Sequence, residues 1–296
     1  MWLIRLLSGL VFVVFLLANP VVAQNNLSVT DPSPPNEFAQ GKSAQRPEQQ
    51  RFLTWKAKGY IPVYLFGDPQ IFITVENSTY LIDLSSLLQE VLSELRLETF
   101  MLPISELRLV SQPEDGTIWF GTYQDSPYLK RFEHTSTALD ARILSLSYGG
   151  ITFVIDKNGY ALDFDQGYID TDFDHVECLV AHPQYYATFH RRIRIADRNN
   201  LEIRIKSPIE KIQMALKSIA KHEIYHALGT KHIRDCDFRS ENHKNCSIMA
   251  SSAYMLFSYP GLGEFRQITA AWKNAEANQP ERVSSAKIKD TSVGSP

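Results

Sequence analysis

The string HEIYHALGTKH, from His222 to His232, constrains this chain more than any other feature, because it asks the backbone for a helix, a sharp stop and a return. His222 and His226 are four residues apart, so on an α-helix they share one face and can grip a single ion. The helix they need is written just upstream. Ser207-Pro208-Ile209-Glu210 combines an N-cap serine, proline at the first helical position and glutamate three residues after the cap. Ile209, Ile212, Leu216 and Ile219 then give the helix a stripe to bury. Gly229 can take the left-handed conformation that ends a helix, which turns His232 back towards the first two histidines. Neutral imidazoles suit zinc, and a catalytic zinc takes three protein ligands with the fourth position left open. His222, His226 and His232 are therefore the expected ligands of a Zn2+ ion. Glu223 is next in sequence to a ligand but points elsewhere, as a general base for water activated at the ion must.

The remaining chain reads as one domain between two apolar-poor ends. Residues 24–50 are rich in Pro, Gln, Asn and Ser and are expected to be a flexible linker or short pro-segment, and residues 273–296 a flexible tail. Between them, residues 51–272 form the expected folded domain. Tyr60–Phe66 is β-branched and aromatic and closes at Gly67-Asp68-Pro69, so it predicts a strand. Leu84, Leu87, Leu88, Val91, Leu92 and Leu95 fall at helical spacing behind a Ser86-x-x-Gln89 capping pattern, predicting an amphipathic helix on a sheet. Short strands are expected over 107–110, 117–121, 143–147 and 151–155, the last turning at Asn158-Gly159 into 160–164. Apolar and charged residues alternate on either side of Asp197-Arg198-Asn199-Asn200, which predicts a half-buried hairpin over 193–205 with a solvated basic face. Asp163, Asp165, Asp170, Asp172 and Asp174 could offer calcium oxygen ligands but complete no EF-hand loop, and the stretch is expected to be a solvated loop, with calcium binding as the alternative.

A formal net charge of −3 and a pI near 6.3 give no global attraction to nucleic acid, and none is expected as a partner. Residues 1–23 run from Arg5 through an apolar stretch to Val21-Val22-Ala23, in the order of a cleaved signal peptide. The expectation is a secreted or periplasmic protein with no stable membrane span after cleavage; an uncleaved segment would instead anchor it to the membrane. In such a compartment Cys236 and Cys246, the nearest pair of the three cysteines, are expected to form a disulfide and Cys178 to be the odd one out.

The histidine string followed by Ser247-Ile248-Met249 resembles the metzincin clan of zinc peptidases, whose hallmark is HExxHxxGxxH and a methionine turn. The resemblance is specific over 207–249 and architectural over 60–206. It implies an α+β, zincin-like fold: a twisted mixed sheet with a backing helix and an active-site helix, over a small C-terminal subdomain carrying Met249 beneath the zinc. It implies a polypeptide substrate paired in extended form with an edge strand. Cys236 and Cys246 look adamalysin-like, but Ile233 stands where adamalysins carry aspartate, and Tyr225 is bulky where many metzincins have glycine. Tyr254 is a candidate contact to zinc or the transition-state oxyanion, although it follows the methionine by five residues and in astacin-like enzymes by two.

The resulting expectation is a zinc metalloendopeptidase acting outside the cytoplasm. Two other readings use the same residues. One is a non-catalytic zinc-binding interaction module on a zincin scaffold, for which Glu223 would have no purpose. The other is a metal-dependent hydrolase of a cell-wall amide, which the same chemistry would serve.

Overall fold

The computed structural model describes residues 47–131, 149–162, 173–197, 199, 201–232, 246–250 and 255–277. Helix α1 (Pro47–Lys58) leads into β1 (Tyr60–Leu65), and β2 (Gln70–Val75) and β3 (Ser78–Asp83) form a hairpin before α2 (Leu84–Thr99). Then come β4 (Glu106–Val110), β5 (Ile118–Thr122), the short α3 (Pro127–Arg131), β6 (Gly150–Asp156), β7 (Ala161–Leu162) and β8 (Phe173–Val180). The chain continues through α4 (Pro183–Phe189), β9 (Arg194–Ala196), α5 (Pro208–Ala227), β10 (Met255–Phe257) and α6 (Leu262–Ala277).

The main sheet has the order β4-β1-β5-β8-β6-β7, its first four strands parallel and β6 antiparallel to both neighbours. Helices α2 and α5 pack together over one face, with α5 against β8 and β6. The stripe expected on α2 is buried throughout, from Leu84 to Leu95. Each such side chain contributes about 1.5–3 kcal/mol when fully buried, so this face alone outweighs any propensity term. Its cap differs from the expected one. Asp83, not Ser86, accepts from the Ser85 and Ser86 amides at 2.9 and 3.1 Å, because the helix already begins at Leu84 and a cap must precede it.

Both ends of the expected domain move outward. The linker expected to reach residue 50 gives way to α1 from Pro47, and the tail expected from residue 273 gives way to α6 as far as Ala277. The reason is mutual burial: Phe52 and Trp55 of α1 lie 5.2 and 6.4 Å, ring to ring, from Trp272 of α6, and Ala275 is buried. Neither helix carries an aliphatic stripe of the kind that marks α2.

The strands expected at 60–66, 107–110, 117–121 and 151–155 correspond to β1, β4, β5 and β6, and the Asn158-Gly159 turn joins β6 to β7. The hairpin expected over 193–205 is reduced to a single antiparallel bridge between Ala196 and Glu202, and β9 pairs in parallel with β10 as well. The expected strand at 143–147 and the acidic residues Asp163 to Asp172 lie outside the described residues; Asp174 falls in β8. No helix among the described residues is long and apolar enough to cross a membrane.

Candidate metal centre

Helix α5 starts as its sequence requires, with Ser207 Oγ accepting from the Glu210 amide at 3.4 Å and Pro208 in the first turn. It ends at Gly229, whose φ of +98° reverses the chain while its amide and that of Thr230 bond back to the carbonyls of His226 and Tyr225 at 2.9 and 3.1 Å. A Cβ on Gly229 would meet Phe52 and Ala271 at 3.0 and 3.1 Å, a tight fit added to the strain that the positive φ imposes on any other residue. Three residues later His232 stands opposite the helix.

The outcome is a triangle of nitrogens. Nε2 of His222 lies 3.1 Å from Nε2 of both His226 and His232, and the remaining side is 3.2 Å. The other ring nitrogens say what these contacts are. Nδ1 of His222 is 2.6 Å from the Ile248 carbonyl, and Nδ1 of His226 is 2.9 Å from the Thr230 carbonyl. A carbonyl accepts only, so each Nδ1 carries the proton and each Nε2 is a bare lone pair in the neutral ring. Two lone pairs facing each other at 3.1 Å repel, and a shared cation removes the repulsion. An ion about 2.0–2.1 Å from all three nitrogens would see N–metal–N angles of about 100°, close to the tetrahedral arrangement zinc prefers with one position open.

Burial keeps the rings in the state a metal needs. It lowers the His222 pKa to about 4, with the neighbouring His232 adding to the effect, and drives His226 well below the usual imidazole value, helped by both other rings. His232, the most exposed of the three, is also lowered by burial.

Glu223 is not among the converging ligand atoms. Its side chain is 2% exposed and lies against β6, where Thr152 Oγ1 donates to its Oε2 at 2.6 Å. Burial raises the carboxyl to about 8, against the opposing pull of that hydrogen bond. Gly150 makes the room, since a Cβ there would lie 2.5 Å from Glu223 Oε1. Neither Gly150 nor Thr152 stands out in the sequence; only the Gly149-Gly150 pair ahead of a strand hints at a close approach.

Met249 is fully buried, in a tight turn closed by the Ala250 amide on the Ser247 carbonyl at 2.9 Å. Ile248 in the same turn supplies the carbonyl that receives His222, a contact that no side-chain motif announces. Cys246 is disulfide-bonded and Cys178 is free and buried, while Cys236 and Tyr254 lie outside the described residues. Cys178, on β8, contacts the Glu223 carbonyl at 3.4 Å; burial, reinforced by the Glu223 charge, pushes its thiol far up, so it is an inert neighbour of the centre. Of the other histidines, His182 caps α4 through the Gln184 amide, His190 bonds the Ala187 carbonyl and His175 lies between Asp174 and Glu177.

No family model and no curated protein matches the chain. Among solved structures it is similar to one titled "GM1 bound form of the ECX AB5 holotoxin", at 15% identity over 78% of this chain and 92% of that one, with a TM-score of 0.41. At that score the likeness bears on neither fold nor activity.

Proposed function

We propose that the protein is a zinc-dependent metalloendopeptidase of metzincin type, cleaving extended polypeptide outside the cytoplasm. The observation that carries this reading is the convergence of three imidazole nitrogens, with a buried carboxyl group beside them that is not a ligand. His222, His226 and His232 would hold the ion, and Glu223 would be the catalytic base. When bound, zinc supplies Lewis acidity, acidifying water and polarising a carbonyl. Glu223 would accept the proton of the attacking water at its carboxylate and return it to the leaving nitrogen.

The surroundings support a peptide substrate. Among the described residues the outer edge of β6 meets β7 only at Val154 and Ile155, which leaves Gly150–Phe153 without a strand partner on that side. The same stretch carries the Gly150 and Thr152 contacts to Glu223, so a chain added to this edge by main-chain hydrogen bonds runs past the base. A mostly parallel sheet, α2 as backing helix and a buried methionine turn fit the metzincin arrangement. Export rests on the signal-like 1–23 segment and on the disulfide at Cys246.

The test is zinc stoichiometry and kcat/KM on a peptide library for wild type and Glu223→Ala. One zinc per chain in both proteins is expected, with cleavage reduced by at least about 10²-fold in the variant. Cleavage that survives within tenfold removes Glu223 from the mechanism. A wild type that binds zinc and cleaves no peptide supports a binding module or a hydrolase of another amide instead.

A further inference from the structure

Outside the histidine cluster, Glu264 has an environment that the proposed chemistry does not use. It sits in the first turn of α6 and is fully buried, where a carboxylate is costly unless hydrogen bonds replace its water. Two do so. The Ser247 hydroxyl donates to one oxygen and the Gly261 amide donates to the other at 3.0 Å. Ser247 opens the turn that contains Ile248 and Met249, and the far side of that turn is tied by the Ile248 amide to the Tyr259 carbonyl at 2.8 Å. The preceding carbonyl, of Ser258, accepts from Lys221 at 2.8 Å, one residue before His222 on α5. The segment 258–264 thus brackets the turn, with Glu264 and Tyr259 bonding to successive residues of it. The product of that bracket is one oriented group, the Ile248 carbonyl 2.6 Å from His222 Nδ1.

We propose that Glu264 is a positioning residue for the metal centre: it fixes the Ser247–Ala250 turn so that the Ile248 carbonyl sets the tautomer and direction of the His222 ring. The inference rests on the reading of the three histidines as a zinc site. Apolar packing of Met249 fills space beneath the turn but exerts no preference on how its peptide planes rotate. A carboxylate with two anchored donors does. Groups behind a ligand histidine matter because they fix its ring before the ion arrives.

The experiment uses the full chain as wild type, Glu264→Gln and Ser247→Ala, each stripped of metal. Cobalt is titrated in as a spectroscopic substitute for zinc, its affinity is measured against a competing chelator, and thermal melting of the metal-free forms is recorded. Both variants are expected to bind cobalt about tenfold more weakly, the lower end of the effect of groups behind ligand histidines. Their visible absorption should change as well, reporting a displaced nitrogen donor. Adding either change to His222→Ala should weaken cobalt no further than His222→Ala does alone. Should Glu264→Gln not fold, Ser247→Ala, which removes a single donor, decides the question. Affinity and spectrum within twofold of wild type, or a lowered melting point with cobalt affinity intact, overturn the positioning role. A wild type that binds neither cobalt nor zinc overturns the metal centre itself, and this role with it.

Discussion

At the scale of single residues, the centre depends on groups that hold the motif as much as on the motif. Thr152 and Gly150 are the clearest case, one donating to Glu223 and the other standing aside for it. In Gly150→Ala the new Cβ would lie 2.5 Å from Glu223 Oε1 and under 3 Å from its Cγ and Cδ, so the Glu223 side chain has to shift. Cleavage is expected to fall by about 10²-fold while zinc content stays at one per chain, since misplacing a catalytic group by about 1 Å costs that much. Thr152→Val is nearly isosteric and leaves a buried carboxylate oxygen without its donor, and Thr152→Ser restores the donor. The valine variant should lose kcat with little change in KM and the serine variant should recover most of it. Equal activity in all three would show that Glu223 is positioned by something else.

At the scale of elements, legibility followed periodicity. Helices α2 and α5 were readable because their apolar residues repeat at helical spacing, and the return of His232 was readable because Gly229 is where a left-handed residue is needed. The β2–β3 hairpin escaped because its turn places Glu76 and Asn77 at φ of 48° and 73°, without the glycine that usually marks such a turn. Strand β8 escaped for another reason. It opens beside Asp174, the last of the acidic residues expected to form a solvated loop, and its own charged residue Glu177 is fully buried, accepting from Ser126 Oγ and the Tyr128 amide at the start of α3. Helices α1 and α6 owe their burial to aromatic contacts across more than two hundred residues of sequence, which no local window contains. The pairing of Cys246 belongs to this scale. Mass mapping of the non-reduced protein is expected to find it joined to Cys236, a closure of about ten residues worth roughly 3 kcal/mol in the loop-entropy model. A peptide joining Cys246 to Cys178, or free thiols at both 236 and 246, would refute the pairing.

At the scale of the whole molecule, the proposed centre would make stability depend on pH and metal together. In the metal-free protein Glu223 has its carboxyl raised from 4.5 to about 8, so between those values the folded state binds more protons than the unfolded state. Its contribution to stability is therefore fully present below about 4.5 and is lost as the pH rises through 8. His222 works in the opposite direction, lowered from 6.5 to about 4, so the unfolded chain takes up its proton first and stability falls as the pH drops from 6.5 towards 4. His226 and His232 shift the same way as His222. Comparing wild type with Glu223→Gln at each pH cancels the histidines and isolates the carboxylate. The metal-free variant is expected to melt close to wild type at pH 4.5 and above it at pH 8.5, by on the order of 1 kcal/mol or more, a shift of at least about 2 °C for a domain of this size. Saturating zinc should shrink the difference at pH 8.5, because a cation beside the carboxylate favours its charged form. Melting curves that separate equally at both pH values, or a gap at pH 8.5 that zinc leaves untouched, would show that Glu223 ionises without sensing the three histidines' ion, and the base would have to be sought elsewhere on α5 or β6.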